Sequence, residues 1–279
     1  MARSRPKIIA ATETFNEEDF LPTWLAAMED LADEIVAIDD GSEDRSADIL
    51  EAHPKVVQVV RKRRGKRTEV KDLNRLVSMA RERGAEWLMR VDADEVFDRR
   101  MLDRVDDLVD DADVDEYHFR KLWLWRSTDE VRVDRPDKFA QWNPHRLVRM
   151  RPDLRYVFPI GATWKRLATT ALRHTRWTPQ FGNGGVRPAG RAAQVDDVVL
   201  LHLAAVDWPD MIRKHLLYAV GKRDEYPRTP VDEIVRWAYD TLDESTLRLE
   251  AVAPEWGLDV IAVRARELAA GRADLASRA

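Results

Sequence analysis

Cysteine is absent from the 279 residues of this chain, which excludes disulfide bonds and thiolate metal sites. The chain also lacks a run of about 18 apolar residues, the length that a helix needs to span a bilayer. The apolar stretch that follows the basic start, Met1–Lys7, is too short for a signal peptide. We therefore expect a soluble, cytoplasmic protein, with peripheral attachment to a membrane surface as the alternative location.

Two glycine-rich phosphate-binding motifs are missing as well. No Gly-x-Gly-x-x-Gly follows the first apolar run, which argues against a dinucleotide-binding fold. No Gly-x-x-x-x-Gly-Lys occurs, which argues against a P-loop enzyme. Hydrophobic residues make up 44% of the chain, enough for a sizeable core. The length fits one large domain, or one domain with an appendage.

The first 92 residues alternate between short apolar runs and amphipathic segments. The apolar runs predict strands at residues 7–13, 34–39, 56–60 and 86–92, with a helix in each interval. This βαβαβαβ series predicts a three-layer α/β fold with a mostly parallel sheet and right-handed crossovers.

The pattern changes after a further predicted helix at residues 99–109. Predicted strands follow at 116–125, 145–150 and 198–202, with Val131–Val133 as a hairpin partner, and residues 173–194 are predicted to be a mobile loop. We predict a core at 1–205, with a donor half at 7–95 and an acceptor half at 96–205. A helical extension is predicted at 206–279, with helices near 208–224, 230–243 and 258–278.

Carboxylates follow two of the predicted strands. Asp39-Asp40-Gly41-Ser42 follows the second strand, and Asp92-Ala93-Asp94-Glu95 follows the fourth. Carboxyl ends of parallel strands meet at one edge of the sheet, where such folds bind ligands. Oxygen ligands suit Mg²⁺ or Mn²⁺, which in turn bind phosphates. The basic loop 61–67 is predicted at the same edge, so we expect a nucleotide there; a solvated acidic turn is the alternative for Asp-x-Asp alone.

Taken in order, these motifs resemble glycosyltransferase family 2, which has the GT-A fold. The resemblance covers about residues 7–220 and rests on five segments: Thr14–Glu18, Asp39–Ser46, Gly65–Arg67 with Asn74, Asp92–Glu95, and His202 with Lys214 and Tyr218. It implies a Rossmann-like, three-layer GT-A sheet with a C-terminal helical appendage. It also implies a metal-dependent enzyme that moves a sugar from a nucleoside-diphosphate sugar, UDP-type favoured, to an acceptor hydroxyl with inversion.

The resemblance also implies roles for individual residues. Asp40 would bind the base and Asp39 the ribose region, unless both only cap their turn. Asp94 and His202 would bind Mn²⁺ or Mg²⁺, and Asp92 would face either the ribose of the donor nucleotide or the metal. A histidine after a strand is as often a core residue, and histidine is more expected on Mn²⁺. The other residues implied at the donor nucleotide are Thr12, Glu13, Thr14, Asn16, Glu17, Gly41, Lys66, Arg67, Asn74 and Ala93.

An inverting transfer to a hydroxyl needs a carboxylate base. The segment that resembles the family's base region, residues 156–164, contains no acid. Several carboxylates elsewhere therefore stay open as candidates: Glu95, Asp134, Asp137, Asp153, Asp196 and Asp197.

The predicted acceptor half contains a strongly basic segment. Residues 146–191 hold ten Lys or Arg residues and one acid, for a net charge of +9, which leaves −14 for the rest of the chain. The acceptor-side candidates are Arg146, Arg149, Trp164, Lys165, Arg166 and Trp177. This predicts an anionic acceptor, which could be a glycan, a lipid phosphate or DNA. The alternative is that the arginines pair with the acidic remainder.

Three classes of function fit these features. The first is a glycosyltransferase with a glycan or lipid-linked saccharide as acceptor. The second applies the same donor chemistry to a hydroxylated base in DNA, as in phage-type modification. The third is a non-enzymatic, polyanion-binding relative, which the intact acidic motifs disfavour. A nucleotidyltransferase is disfavoured because residues 13–18 contain no glycine for a phosphate loop.

Overall fold

The computed structural model describes residues 5–63, 69–157, 186–225 and 227–258. The strands are β1 Ile8–Thr14, β2 Glu34–Asp39, β3 Val56–Arg61, β4 Trp87–Arg90, β5 Glu95–Phe97, β6 Glu116–Leu124, β7 Glu130–Arg132, β8 Trp142–Arg149, β9 Arg155–Tyr156, β10 Val186–Arg187, β11 Ala192–His202 and β12 Leu249–Ala251. The helices are α1 Leu21–Leu31, α2 Ser46–Glu51, α3 Glu69–Glu82, α4 Met101–Asp110, α5 Pro136–Phe139, α6 Trp208–Glu225 and α7 Val231–Tyr239.

The first four strands form a parallel sheet in the order β3-β2-β1-β4. This confirms the predicted α/β fold, because each apolar run is followed by a helix that crosses back over the sheet. In register, Thr14 pairs with Asp39 and Ala11 pairs with Arg90. The acidic segments after β2 and β4 therefore lie at the same edge as the turn after β1.

Antiparallel strands extend the sheet on the β4 side. The order continues from β4 through β8, β6 and β7 to β12, while β11 runs parallel to β6 and also pairs with β5. Val131 lies in β7, the predicted hairpin partner of β6. This arrangement brings the end of β11 next to the segment that follows β4.

Alternate residues of β1 face opposite layers of the core. Ile8 and Ala10 face the layer with α1 and α4, where Trp24 of α1 is fully buried. Ile9 and Ala11 face the layer of α3. Burial of each large apolar side chain stabilises the fold by about 1.5–3 kcal/mol. The two covered faces explain why the early strands are continuous apolar runs rather than alternating ones.

Several elements differ from those predicted. Residues 186–187 and 192–194, predicted as loop, lie in β10 and β11, and the rest of that loop up to residue 185 lies outside the described residues. β12 was not predicted; it lies within the predicted helical extension, yet pairs antiparallel with β7. α7 ends at Tyr239 and is followed by a short 3₁₀ helix. The helix predicted at 258–278 lies outside the described residues beyond Leu258.

In the described part of the chain, no helix has the length and apolarity needed to cross a membrane.

Candidate active site

The turn after β1 is bonded to the acidic loop after β2. Asn16 has a positive φ of 55°, which places its backbone N–H toward Ser42 Oγ at 2.9 Å, while its side-chain oxygen accepts from Glu43 N at 2.8 Å. Glu17 N donates to Ser46 Oγ at 2.7 Å. Asn16 therefore fixes the shape of the turn and directs the side chain of Glu17 into the site.

Asp39 closes the loop that follows β2. Its carboxylate accepts hydrogen bonds from Gly41 N and Ser42 N, both at 3.2 Å to Oδ2, and the residue is 3% exposed. Gly41 has a φ of 82°, a conformation that strongly favours glycine. The turn-capping interpretation of Asp39 thus has direct structural support, and its contact with a ribose stays a prediction.

Asp40 belongs to a cluster of carboxylates around one ammonium group. Lys62 Nζ lies against Asp40 and 2.8 Å from Asp72 Oδ2. Oxygen atoms of Glu13, Asp40 and Asp72 lie within 4.8 Å of one another. Burial lowers the pKa of Lys62, but Asp40 and Asp72 raise it by more, so the net direction is upward. Lys62 and Asp72 were missed from the sequence, because their approach depends on how β3 leads into α3.

Three other predicted donor residues have different surroundings. The hydroxyl groups of Thr12 and Thr14 are buried without a hydrogen-bond partner in the described part of the chain. Asn74 donates to Val70 O and Tyr156 O and accepts from Tyr156 N at 2.8 Å. Its amide therefore holds α3 to β9, so in this structure Asn74 is committed to protein contacts rather than presented to a nucleotide. Lys66 and Arg67 lie outside the described residues.

Asp92 is held by two arginines. Its Oδ1 accepts from Arg90 at 2.6 Å and its Oδ2 accepts from Arg146 at 2.7 Å. Burial raises the pKa of Asp92, but Arg146 and Arg90 outweigh it and hold the pKa well below its usual range. Arg146 also lies 2.6 Å from Glu95, and Lys121 lies 3.7 Å from Glu95. Arg146 was predicted on the acceptor side, which the structure corrects. The residue is 2% exposed, and its guanidinium group pairs with Asp92 and Glu95 of the acidic motif.

Asp94 lies between a histidine and a lysine, two residues beyond Asp92. Its Oδ1 is 3.8 Å from His202 Nε2, and its Oδ2 is 3.7 Å from Lys214 Nζ. His202 ends β11, and Leu203 N donates to Asp94 O at 2.7 Å, which fixes the two segments together. Burial lowers the pKa of His202 to about 4, against an opposing effect of Asp94, so the ring is neutral at pH 7.

Trp123 and Lys214 complete the surroundings of this pair. The Trp123 ring stacks on His202 with centroids 4.0 Å apart. Lys214 Nζ lies 2.8 Å from both carboxylate oxygens of Glu17. Burial and Asp94 raise the pKa of Glu17 to about 8, although Lys214 acts in the opposite direction. Lys214 lies on α6, so the predicted helical extension supplies part of the site.

Asp94 and His202 fit a divalent ion. A distance of 3.8 Å between a carboxylate oxygen and a neutral imidazole nitrogen can be bridged by one ion at about 2.1 Å from each. The mixed oxygen and nitrogen set favours Mn²⁺ over Mg²⁺. Binding through Nε2 would put the ring proton on Nδ1, so the 3.3 Å contact in which Ala204 N donates to Nδ1 would have to open. Both oxygens of Asp92 are already bonded to arginines, so Asp92 fits the ion less well.

The candidate bases lie in different places. Glu95 is fully buried, and Asp134 is bonded to Arg132 and Thr246, with its pKa held low mainly by Arg132. Asp197 pairs with Arg104 at 2.9 Å and lies five residues before His202, in the irregular part of β11 between Val195 and Val199. Asp153 and Asp196 are exposed outside this cluster, Asp153 in the turn before β9 and Asp196 beside Asp197. Asp137 is exposed on α5, whose Phe139 packs edge-on against Trp123 with centroids 5.6 Å apart.

The described arginines of the basic segment are mostly paired within the protein. Arg149 stacks on Trp87 at 4.5 Å and bonds to Asp111 O, which corrects its predicted place on the acceptor side. Arg151 approaches Asp115 and Glu116, and Arg191 pairs with Asp113. The interpretation that the arginines of residues 146–191 pair with the acidic remainder of the chain therefore holds for Arg151 and Arg191. The candidates Trp164, Lys165, Arg166 and Trp177 lie outside the described residues.

A parallel βα sheet that ends in two acidic motifs, with a histidine from a later strand beside them, defines a GT-A type of transferase. The family model described as glycosyl transferase family 2 matches residues 11–164, just over half of the chain. The chain belongs to this family and is a glycosyltransferase. His202 and Lys214 lie beyond the matched region.

Solved structures similar to this chain include glycosyltransferases. TarS of S. aureus, residues 1–349, is 15% identical, with 86% of this chain and 73% of that chain covered and a TM-score of 0.47. The same TarS fragment in complex with UDP-GlcNAc is 14% identical, with 86% and 74% covered and a TM-score of 0.46. Glucosyl-3-phosphoglycerate synthase from Mycobacterium tuberculosis, in complex with Mn²⁺, UDP-glucose and phosphoglyceric acid, is 15% identical, with 43% and 44% covered and a TM-score of 0.33. No curated protein sequence matches the chain.

Proposed function

We propose that this glycosyltransferase takes its sugar from a UDP-type nucleoside-diphosphate sugar, in a reaction that depends on Mn²⁺ or Mg²⁺. The observation that carries the proposal is the pair formed by Asp94 Oδ1 and His202 Nε2, 3.8 Å apart at the carboxyl edge of the sheet. Such a pair, next to the ends of β1 and β2, is where a diphosphate and its nucleoside could be held together.

In this proposal, Asp94 and His202 hold the divalent ion on the diphosphate. The ion supplies positive charge that stabilises the departing nucleoside diphosphate. Asp40, with Lys62 and Asp72 behind it, accepts a hydrogen bond from the base. Asp92 stays paired with Arg90 and Arg146 and positions the loop that carries Asp94. These residues bind and orient the donor so that its anomeric carbon faces the acceptor.

The acceptor that we propose is a hydroxyl of a glycan or a lipid-linked saccharide, with inversion at the anomeric carbon. Of the carboxylates predicted as bases, Asp137 fits best, because it is exposed on α5 and close in sequence to Phe139, which contacts Trp123. In the proposed step, Asp137 takes the proton from the acceptor hydroxyl while its oxygen attacks the anomeric carbon, and the bond from that carbon to the diphosphate oxygen breaks to release the nucleoside diphosphate. We do not propose DNA as the acceptor, because the described arginines expected to contact it are mostly paired with protein carboxylates.

The proposal is tested by binding and turnover together. A thermal-shift panel of nucleotide sugars, with and without Mn²⁺, identifies the donor, since a specific ligand raises the unfolding temperature by mass action. Asp94→Asn should abolish the metal-dependent part of the shift and of nucleotide-sugar hydrolysis. As a matched control, Asp153→Asn removes an exposed carboxylate outside the site and should behave as wild type. A full metal-dependent shift in Asp94→Asn would contradict the metal assignment.

A further inference from the structure

An ammonium group from α6 is buried among the carboxylates of the site. Lys214 is 7% exposed, and its Nζ lies 2.8 Å from both oxygens of Glu17, 3.7 Å from Asp94 Oδ2 and 3.6 Å from Asp210. Asp94 thus faces His202 with one oxygen and Lys214 with the other. α6 lies outside residues 11–164, whereas Glu17 and Asp94 lie within them.

Among the described residues, the ion pairs that include Asp92, Asp94, Glu95 or Lys214, with the pair of Arg213 and Asp210, join equal numbers of carboxyl and cationic groups. The five carboxyl groups belong to Glu17, Asp92, Asp94, Glu95 and Asp210. The five cationic groups belong to Arg90, Lys121, Arg146, Arg213 and Lys214. Without a ligand, this network, which does not include the cluster of Glu13, Asp40 and Asp72, therefore offers a divalent cation little surplus negative charge.

We propose that Lys214 is the resident counter-cation of Asp94 and makes metal binding depend on the nucleoside diphosphate. A divalent ion that enters alone meets an ammonium group on the other oxygen of its own carboxylate ligand, in a site where charges are only partly screened. An ion that enters with a diphosphate brings its own negative charges, and Lys214 then attracts the complex. Lys214 thereby weakens binding of the bare ion and strengthens binding of the metal–nucleotide pair.

This role has a thermodynamic signature. If UDP strengthens the binding of Mn²⁺ by some factor, Mn²⁺ must strengthen the binding of UDP by the same factor. Removal of the ammonium group should make the bare ion bind more tightly and should reduce this mutual factor. If Lys214 were purely structural, its removal would only disorder Asp94, and both the binding of the bare ion and the mutual factor would decrease. The two roles therefore predict changes of opposite sign in the affinity for bare Mn²⁺.

The test is a titration with Mn²⁺, with and without UDP, in which the free ion is counted by its electron paramagnetic resonance signal. In Lys214→Met, bare Mn²⁺ should bind about tenfold more tightly than in wild type, and the enhancement by UDP should fall by about tenfold, within the usual range of coupling between sites. Lys214→Arg keeps the charge and should keep the wild-type coupling. Arg236→Met removes an exposed cation of α7 that pairs with Asp232, and it should change neither value.

A second variant tests the same idea in the opposite direction. Asp210→Asn removes a carboxylate that lies 3.6 Å from Lys214, so the ammonium is less neutralised and bare Mn²⁺ should bind more weakly than in wild type. Unchanged or weaker binding of bare Mn²⁺ in Lys214→Met, with a wild-type unfolding temperature, would overturn the inference. So would tighter binding of bare Mn²⁺ in Asp210→Asn.

The inference rests on the proposed metal and nucleotide site, and the same titration separates the two failures. If wild type with UDP binds no more Mn²⁺ than Asp94→Asn does, the proposed site is wrong. If wild type binds Mn²⁺ through Asp94 but Lys214→Met leaves the coupling intact, only the role of Lys214 is wrong.

Discussion

Trp123 and His202 lie face to face, with ring centroids 4.0 Å apart and planes only 6° from parallel. The two residues are register partners on the parallel strands β6 and β11, so the backbone itself sets the stack. Phe139 packs edge-on against Trp123, with ring centroids 5.6 Å apart. A ring clamped in this way keeps Nε2 of His202 directed at Asp94. Residues that orient a metal ligand commonly matter nearly as much as the ligand.

Replacement of Trp123 should therefore weaken metal binding without removing a ligand. In Trp123→Leu, the imidazole loses its stacking surface, and we expect Mn²⁺ affinity in the presence of UDP to fall by about 10–100-fold. Trp123→Phe keeps an aromatic face and should lose much less. The affinity is measured by the same resonance titration of free Mn²⁺.

The matched control for this change is Trp208→Leu. Trp208 belongs to the neighbouring aromatic cluster, where it packs on Trp125 with centroids 5.3 Å apart. Its loss should lower the unfolding temperature but leave Mn²⁺ affinity near wild type. Equal losses of affinity in both variants would show that Trp123 acts through general stability rather than through His202.

A second prediction concerns the buried guanidinium beneath the acidic motif. Arg146→Met leaves Asp92 and Glu95 without their shared partner, and removal of one member of a buried ion pair typically costs about 3–5 kcal/mol. We expect the free energy of unfolding, measured by urea denaturation, to fall by about this amount. The double variant Arg146→Met/Glu95→Gln should recover part of the loss, because it removes the buried carboxylate whose other cationic neighbour, Lys121, is 3.7 Å away.

Exposed pairs provide the comparison for Arg146. Arg236 and Asp232 are each more than 70% exposed, and such pairs contribute about 0–1 kcal/mol. Arg236→Met should therefore change the free energy of unfolding by less than about 1 kcal/mol. A similarly small effect in Arg146→Met would mean that water reaches Asp92 and Glu95 and that the network is not buried in solution.

The parts of the site that follow a single strand could be predicted from the sequence. Asp40 and Asp94 come soon after apolar runs, and alternation of strands and helices predicts that those runs are parallel strands of one sheet, where both pair with β1. Lys214 could be associated with the site only through its spacing from His202. Its contact with Glu17 spans 197 residues, and no local pattern specifies such a contact.

The sequence does not show whether the basic residues of segment 146–191 face solvent or pair within the protein. A count of ten basic residues predicts a surface for anions, but pairing decides whether the charges face solvent. β8 lies between β4 and β6, which places Arg146 beside Asp92, while Arg149, three residues further along the same strand, stacks on Trp87. Both side chains make contacts within the protein. The sequence does not predict these contacts, because antiparallel pairing, unlike βαβ alternation, leaves no unique pattern in the chain.

The proposed contact of Asp40 with the base predicts a change in nucleotide preference. Uracil presents an N3–H donor to a carboxylate, whereas cytosine presents an unprotonated N3. Asp40→Asn replaces the ionised acceptor with an amide, so UDP should bind about tenfold or more weakly, since a hydrogen bond to a charged group contributes about 1.5–3 kcal/mol. CDP should lose less, because the amide can donate to N3.

Isothermal titration of both nucleotides checks this preference, with Asp72→Asn as the companion variant. Asp72 shares Lys62 with Asp40 but lies on α3, so its loss should weaken UDP and CDP alike. An equal effect of Asp40→Asn on the two nucleotides would show that Asp40 acts through Lys62 and not on the base.

The last prediction concerns the pH dependence of stability in the metal-free protein. Burial lowers the pKa of His202 to about 4, from 6.5, so the ring stays neutral in the folded protein while the unfolded chain gains a proton below pH 6.5. The contribution of His202 is thus fully present above pH 6.5 and is lost as the pH falls toward 4. A shift of this size corresponds to at most about 3 kcal/mol, since 12% of the side chain is exposed. Urea denaturation in EDTA from pH 7.5 to 4 should show this loss in wild type and a smaller one in His202→Asn. Parallel curves for the two proteins would mean that the imidazole takes up its proton in the folded state as readily as in the unfolded chain.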